Sequence, residues 1–157
     1  CEKFIQSCFY APDGIRSFGP TLVGINDRKY FSNSKKNVTT IIMLETKESV
    51  TNLDEILRLK LLDIIYVGPF DLSLSYGISP KEIFENSEML KIYKSILKTV
   101  KKAKKIAAIH CISAETAIYF LKMGFDFVTL STDLALLKQS VWKEQEKVNN
   151  FLRNTKK

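Results

Sequence analysis

Four short apolar runs constrain this chain more than any other feature: Val38 to Leu44, Asp63 to Val67, Ile106 to Cys111, and Phe125 to Leu130. Each is rich in β-branched or aromatic residues, too short for a helix and without clear polar alternation. Each is therefore expected as a strand buried on both faces. Helical signals separate them. Ser79-Pro80-Lys81-Glu82 combines an N-cap serine, a proline at the first helical position and a following glutamate, which predicts a helix start. Asn52 with Glu55 repeats the cap logic ahead of Ile56, Leu57 and Leu59. Ser113 opens a helix through Met123, with Gly124 as its stop, and Asp133 begins a last helix carrying Leu136, Leu137, Val141, Trp142, Val148 and Phe151. A first helix is expected around Glu2 to Gln6. Strands alternating with helices imply parallel pairing through right-handed crossovers, so the class is α/β. Four strands suit either a small open sheet or part of a closed barrel. No Gly-rich phosphate loop follows any strand, which counts against a nucleotide-binding sheet.

The 157 residues are expected to form one domain, yet a complete (β/α)₈ barrel typically needs about 250. The chain opens at Cys1, without an initiator Met and inside a helical pattern. The expectation is a single partial domain over 1–157, truncated at its N-terminus. No run approaches the ~18 apolar residues of a membrane span, and no basic-then-apolar leader opens the chain, so a soluble cytoplasmic protein is expected. The three cysteines, Cys1, Cys8 and Cys111, lack C-x-x-C spacing and read as buried or incidental thiols.

The formal charge of 24 − 17 = +7 raises the question of nucleic acid. Much of the excess lies in one segment, where Lys91, Lys94, Lys98, Lys101, Lys102 and Lys105 share one helical stripe and Ile92, Ile96, Val100 and Ala103 another. No aromatic or Arg interleaves the lysines for base stacking or phosphate forks. The stripe is read as the solvated face of an amphipathic helix, and no nucleic-acid partner is expected.

In parallel α/β folds, function gathers in the loops at the carboxyl ends of the strands. Two acids stand there: Glu45 directly after the first run, and Asp71 after the second by way of Gly68-Pro69-Phe70. Neighbouring strands lie about 4.8 Å apart, so both carboxylates can reach one ion. A hard divalent cation such as Mg²⁺ takes oxygen ligands and keeps waters, and a 2-oxo acid offers it a bidentate grip. Glu45 equally suits a helix cap and Asp71 a turn. Gly68 allows close backbone approach and Pro69 fixes the turn, so the N–H groups of Phe70 and Asp71 can face an anion. His110, the sole histidine, ends the third run near the same face, as a ligand-facing or hydrogen-bonded structural residue.

Four segments, in this order, resemble the HpcH/HpaI family of class II 2-oxo acid aldolases. They are Pro12-Asp13-Gly14-Ile15-Arg16-Ser17-Phe18-Gly19-Pro20; Leu44-Glu45-Thr46-Lys47-Glu48-Ser49-Val50 with Asn52-Leu53-Asp54-Glu55-Ile56; Gly68-Pro69-Phe70-Asp71-Leu72-Ser73; and Gly124-Phe125-Asp126-Phe127-Val128 followed by Asp133. The resemblance spans about residues 8 to 140. It implies the C-terminal part of a modified (β/α)₈ TIM-type barrel, assembled into trimers or hexamers. It also implies a lyase that uses Mg²⁺ or Mn²⁺ to cleave hydroxy-2-oxo acids to pyruvate and an aldehyde. The family's metal-binding residues fall on Glu45 and Asp71, and its pyruvate-carboxylate segment on the backbone of Phe70 and Asp71. Gly68, Pro69 and His110 complete the expected substrate-binding set.

Departures accompany the match. Met43 stands where a glutamine is common, Phe9 where a basic residue is, and Leu22 near a usual arginine; Arg16 is kept and is read as a loop anchor. The catalytic histidine and its acidic partner are expected upstream of Cys1. Two other readings stay open: a related lyase acting on an acyl-coenzyme A or dicarboxylate, and a catalytically incompetent copy serving as an interaction module.

Overall fold

All four apolar runs become strands of one sheet in the computed structural model, which describes residues 1–155. In chain order the elements are α1 (Glu2–Cys8), α2 (Thr21–Asn26), α3 (Tyr30–Asn37), β1 (Ile41–Leu44), α4 (Lys47–Thr51), α5 (Leu53–Leu57) and β2 (Ile64–Val67). They continue with α6 (Pro69–Ser75), α7 (Ser87–Lys102), β3 (Ile106–Cys111), α8 (Ala114–Met123), β4 (Phe127–Leu130) and α9 (Asp133–Thr155). The sheet order is β1-β2-β3-β4 and every pairing is parallel, as the strand-helix alternation requires.

β3 fills its apolar run, whereas β1, β2 and β4 begin later than theirs, and at β1 and β4 side chains take over the ladder. The Thr40 N–H donates to the Asp63 carboxylate at 2.8 Å, and the Asp63 N–H returns a bond to the Thr40 carbonyl at 3.2 Å. Two strands on, the same device recurs. The Ala107 N–H donates to Asp126 Oδ2 at 2.9 Å and the Asp126 N–H to the Ala107 carbonyl at 2.9 Å, while Lys101 holds the other carboxylate oxygen. Burial pushes the Asp126 carboxyl up, but the Lys101 ammonium and the Ala107 N–H outweigh it and hold the group below the ordinary aspartate value.

Register separates the two faces of the sheet. Met43, Tyr66, Ala108 and Phe127 are in line on one face, and Leu44, Val67, Ile109 and Val128 on the other. The second face carries the core, where Leu44, Val67 and Ile109 are fully buried. They pack with Leu53 and Leu57 of α5, Tyr93, Ile96 and Val100 of α7, and Phe120 of α8. The first face is partly open: Ile41, Met43, Ile106 and Phe127 are all more than two-fifths exposed, while Ile64 and Ala108 in the same rows are buried.

Phe120 anchors an aromatic cluster, with the rings of Phe84, Tyr93, Tyr119 and Phe125 between 5.3 and 5.7 Å from its own. Such edge-to-face arrangements suit the ring quadrupole. The lysine stripe holds along α7 but not at its last member: Lys105 lies beyond the helix, is partly buried and donates to the Leu62 carbonyl at 2.6 Å. Lys91, Lys94, Lys98, Lys101 and Lys102 face solvent while Tyr93, Ile96, Leu97 and Val100 are buried.

Local signals succeed in part. Ser113 forms a capping box with Thr116, and Gly124 ends α8 at φ 112°, a conformation only glycine adopts without strain. Asn52 stands at the start of α5 but its side chain caps nothing. The helix expected at Ser79 begins instead at Ser87, capped by the Asn86 side chain, which accepts from Glu88 and Met89. Residues 80–85 form turns that drive Ile83 into the interior and set Phe84 against the core, and this burial overrides the Ser79 cap. No described helix is long and apolar enough to cross a membrane.

Tyr93 is fully buried and its hydroxyl has no hydrogen-bond partner, so burial lifts its pKa far above the free phenol. An unsatisfied buried hydroxyl costs about 1–3 kcal/mol. Tyr93→Phe keeps the ring packing and should leave the urea midpoint unchanged or higher, whereas Phe120→Ala should lose about 3–5 kcal/mol. A lower midpoint for Tyr93→Phe would mean that the hydroxyl contributes to stability. The depressed Asp126 pKa implies stability that is present above the unfolded aspartate pKa and lost as pH falls through the folded one. Asp126→Asn should therefore flatten the acid limb of a stability-against-pH curve, with no change in its neutral-to-alkaline shape.

Candidate active site

Every parallel strand here points its carboxyl end the same way, so the residues that follow the strands collect at one rim. Leu44 pairs with Val67, and the Gly68 N–H donates to the Leu44 carbonyl at 3.0 Å, which sets Glu45 beside Gly68. The contact is close. A Cβ built on Gly68 would lie 2.9 Å from Glu45 Cγ, 3.2 Å from Glu45 Oε1 and 3.2 Å from Met43 Sδ. Glycine is required here for space, not for unusual dihedrals.

Gly68 is the N-cap of α6 and Pro69 its first residue, so the turn expected at Gly68-Pro69 is the entry of a helix. Proline suits that position because its missing N–H needs no partner there. Pro69 is buried, Phe70 is partly exposed, and Asp71 is exposed within the first turn. Two contacts tie the end of α6 to the start of α4. The Lys47 N–H donates to Ser75 Oγ at 2.8 Å, and the Lys47 ammonium lies 5.6 Å from the Tyr76 ring centroid. Thr46 meanwhile caps α4 through a box with Ser49, so the capping role open to Glu45 is filled by its neighbour.

Glu45 is half-buried, and among the described residues neither its carboxylate nor that of Asp71 forms an ion pair or side-chain hydrogen bond. Nor do three or more His, Cys, Asp or Glu side chains gather anywhere among the described residues in a way that could hold a metal. Any cation at Glu45 and Asp71 would take the rest of its shell from water and ligand. Oxygen-only donors of this kind fit a hard divalent ion. Cys111, the nearest thiol along β3, is buried with the core.

His110 sits one step beyond the Val67–Ile109 pair, in line with Thr129 on β4. Its Nδ1 is 2.8 Å from Thr129 Oγ1, which is 2.5 Å from Tyr66 Oη. The Phe70 ring centroid is 6.2 Å from that of His110. The sequence singled out His110 but gave no sign of Tyr66 or Thr129 as its supports. Their only signal was a polar atom inside each apolar run, and register alone shows that the three converge.

The Pro12–Pro20 segment lies elsewhere. Arg16 donates to the Tyr30 hydroxyl at 2.9 Å and stands 4.8 Å from the Tyr10 ring centroid, which makes it a loop anchor as expected. That hydrogen bond from Arg16 draws the Tyr30 pKa down.

The family profile described as HpcH/HpaI aldolase/citrate lyase matches residues 1–140. The hydroxypyruvate/pyruvate aldolase of Rhizorhabdus wittichii is 36% identical over 137 residues, covering 87% of this chain and 55% of that protein. The 5-keto-4-deoxy-D-glucarate aldolase of an Enterobacter species is 28% identical over 147 residues, covering 88% of this chain and 55% of that protein. The crystal structure of an HpcH/HpaI aldolase from Desulfitobacterium hafniense superposes with a TM-score of 0.85 at 18% identity, over 94% of this chain and 58% of that one. The four strands and their helices thus match part of that fold, and the chain spans about half the length of the curated relatives it matches.

Gly68→Ala tests how tightly the rim is built. The added methyl should push Glu45 and Met43 aside at a cost of about 1–3 kcal/mol, read as a lower urea midpoint with the far-UV spectrum retained. An unchanged midpoint would mean that Glu45 gives way freely.

Proposed function

Because the chain belongs to the HpcH/HpaI aldolase/citrate lyase family, we propose that it carries the metal-holding part of a class II aldolase, a carbon–carbon lyase that cleaves hydroxy-2-oxo acids to pyruvate and an aldehyde. Glu45 and Asp71 are the proposed ligands of Mg²⁺ or Mn²⁺. The observation that carries this reading is the Leu44–Val67 pairing, which brings Glu45 against the Gly68 turn that leads to Asp71.

A bound divalent ion would supply a Lewis acid that polarises the keto group of a 2-oxo acid. The protein's own part is positioning. The missing side chain at Gly68 leaves room beside the Glu45 carboxylate, and Pro69 fixes the entry of α6 so that the N–H groups of Phe70 and Asp71 are free to meet a substrate carboxylate. His110, steadied by Thr129, supplies a polar group on the neighbouring strand end. The resemblance also implies a homo-oligomer. The exposed apolar side chains of α9, Leu134, Leu137, Trp142 and Phe151 among them, support such assembly.

The test is a Mn²⁺ titration followed by water-proton relaxation and by thermal melting. Saturation at about a hundred times Kd should add about 2.7 kcal/mol of stability. Asp71→Ala and Glu45→Gln should each weaken Mn²⁺ binding at least about tenfold, the loss of one charged oxygen ligand. If both variants bind Mn²⁺ as the parent does, the two carboxylates are not the metal site.

A further inference from the structure

The side of β1 that carries Glu45 also carries a sulfur. Side chains two apart along a strand project to the same face, so Met43 stands on the Glu45 side of the sheet, and it is 48% exposed. The two groups meet over Gly68. The point where a Gly68 Cβ would stand lies 3.2 Å from Glu45 Oε1 and 3.2 Å from Met43 Sδ, so sulfur and carboxylate oxygen border one small space and are no more than twice that distance apart. The missing side chain on the neighbouring strand keeps that space open.

Of the three methionines, Met89 belongs to the core and Met123 packs against it, whereas Met43 does neither. Its thioether is a soft, neutral donor on a stem with three rotatable bonds, so Sδ can turn toward an ion beside Glu45 without moving the backbone. Carboxylates attract any divalent cation by charge. A thioether adds little to a hard ion such as Mg²⁺ and more to a polarisable one, because soft ligands select soft metals. Being neutral, the sulfur changes which cation is preferred while the charge of the carboxylate pair stays the same.

We propose that Met43 is a specificity-determining donor of the cation site: its thioether joins Glu45 and Asp71 and shifts their preference toward thiophilic divalent ions. This rests on the metal reading of the two carboxylates. They supply the charge, and hence most of the affinity. The sulfur decides between ions of equal charge.

Mn²⁺ and Cd²⁺ carry the same charge and differ chiefly in softness, so the ratio of their Kd values, measured by calorimetric titration, is the quantity that reads the sulfur. The titrations are run with Cys1→Ser and Cys8→Ser in place, since neither thiol is buried and both would take Cd²⁺ themselves. Met43→Leu keeps the size and apolar character of the side chain. It should weaken Cd²⁺ about tenfold and leave Mn²⁺ within about twofold. Met43→Gln, which puts an amide oxygen at similar reach, should weaken Cd²⁺ as much and hold or tighten Mn²⁺. A second readout is direct. With the methionine methyls labelled with carbon-13, Met43, Met89 and Met123 give three signals, and saturating Cd²⁺ should move that of Met43 alone, identified by its loss in Met43→Leu. An unchanged Cd²⁺-to-Mn²⁺ ratio in Met43→Leu, or a Met43 signal that stays in place, overturns the proposal and leaves the carboxylate site standing. If Glu45→Gln and Asp71→Ala instead bind both ions as the parent does, the metal reading itself fails and the role of Met43 goes with it.

Discussion

Parallel strands in register carry their residues forward in rows, so one pairing determines what stands beside what along the whole rim. Once Leu44 is opposite Val67 and Val67 opposite Ile109, the next row consists of Glu45, Gly68 and His110, with Thr129 joined to His110 on the fourth strand. A shift of one residue would turn each of these side chains to the other face. The burial of Leu44, Val67 and Ile109 under α5, α7 and α8 makes such a shift costly, since each contributes transfer energy of about 1.5–3 kcal/mol. The packing of the helix-covered face therefore holds the chemistry of the opposite one in alignment.

Two aspartates secure the same register from the other end. Asp63 and Asp126 each bind a backbone N–H on the preceding strand and return a backbone bond to it. A side-chain acceptor in place of a carbonyl lets a ladder begin without leaving an orphan donor, which matters because an unmet buried N–H costs as much as a lost hydrogen bond. The open face shows the complementary feature. Ile41, Met43, Ile106 and Phe127 form exposed apolar positions there.

The fold was legible in the sequence where a signal is repeated along many residues. Four apolar runs gave four strands, the lysine spacing gave α7 its wet face, and Ser113 with Gly124 bounded α8 closely. It was illegible where one side chain substitutes for another far along the chain. The starts of β1 and β4 are set by Thr40–Asp63 and Ala107–Asp126 bonds, and the start of α7 by the demand to bury Ile83 next to Phe84. Glu45 and Asp71 could be singled out because one follows its strand directly and the other comes three residues further on, after Gly68-Pro69-Phe70, a local property. The support of His110 could not, since Tyr66 and Thr129 are 63 residues apart and meet only through the ladder.

The last helix differs from the others in kind. It runs 23 residues, about 34 Å at 1.5 Å per residue, and none of them is buried. Its helicity thus draws on backbone propensity and neighbouring side-chain pairs such as Lys147 with Glu144, instead of on a core. Heat should unwind such an element gradually, from Thr155 back toward the sheet, while the strands give way in a single cooperative step. The turns nearest β4, which bear Lys138 and Trp142, are the last to fray, so amide exchange along α9 would slow steadily toward the end that joins the sheet.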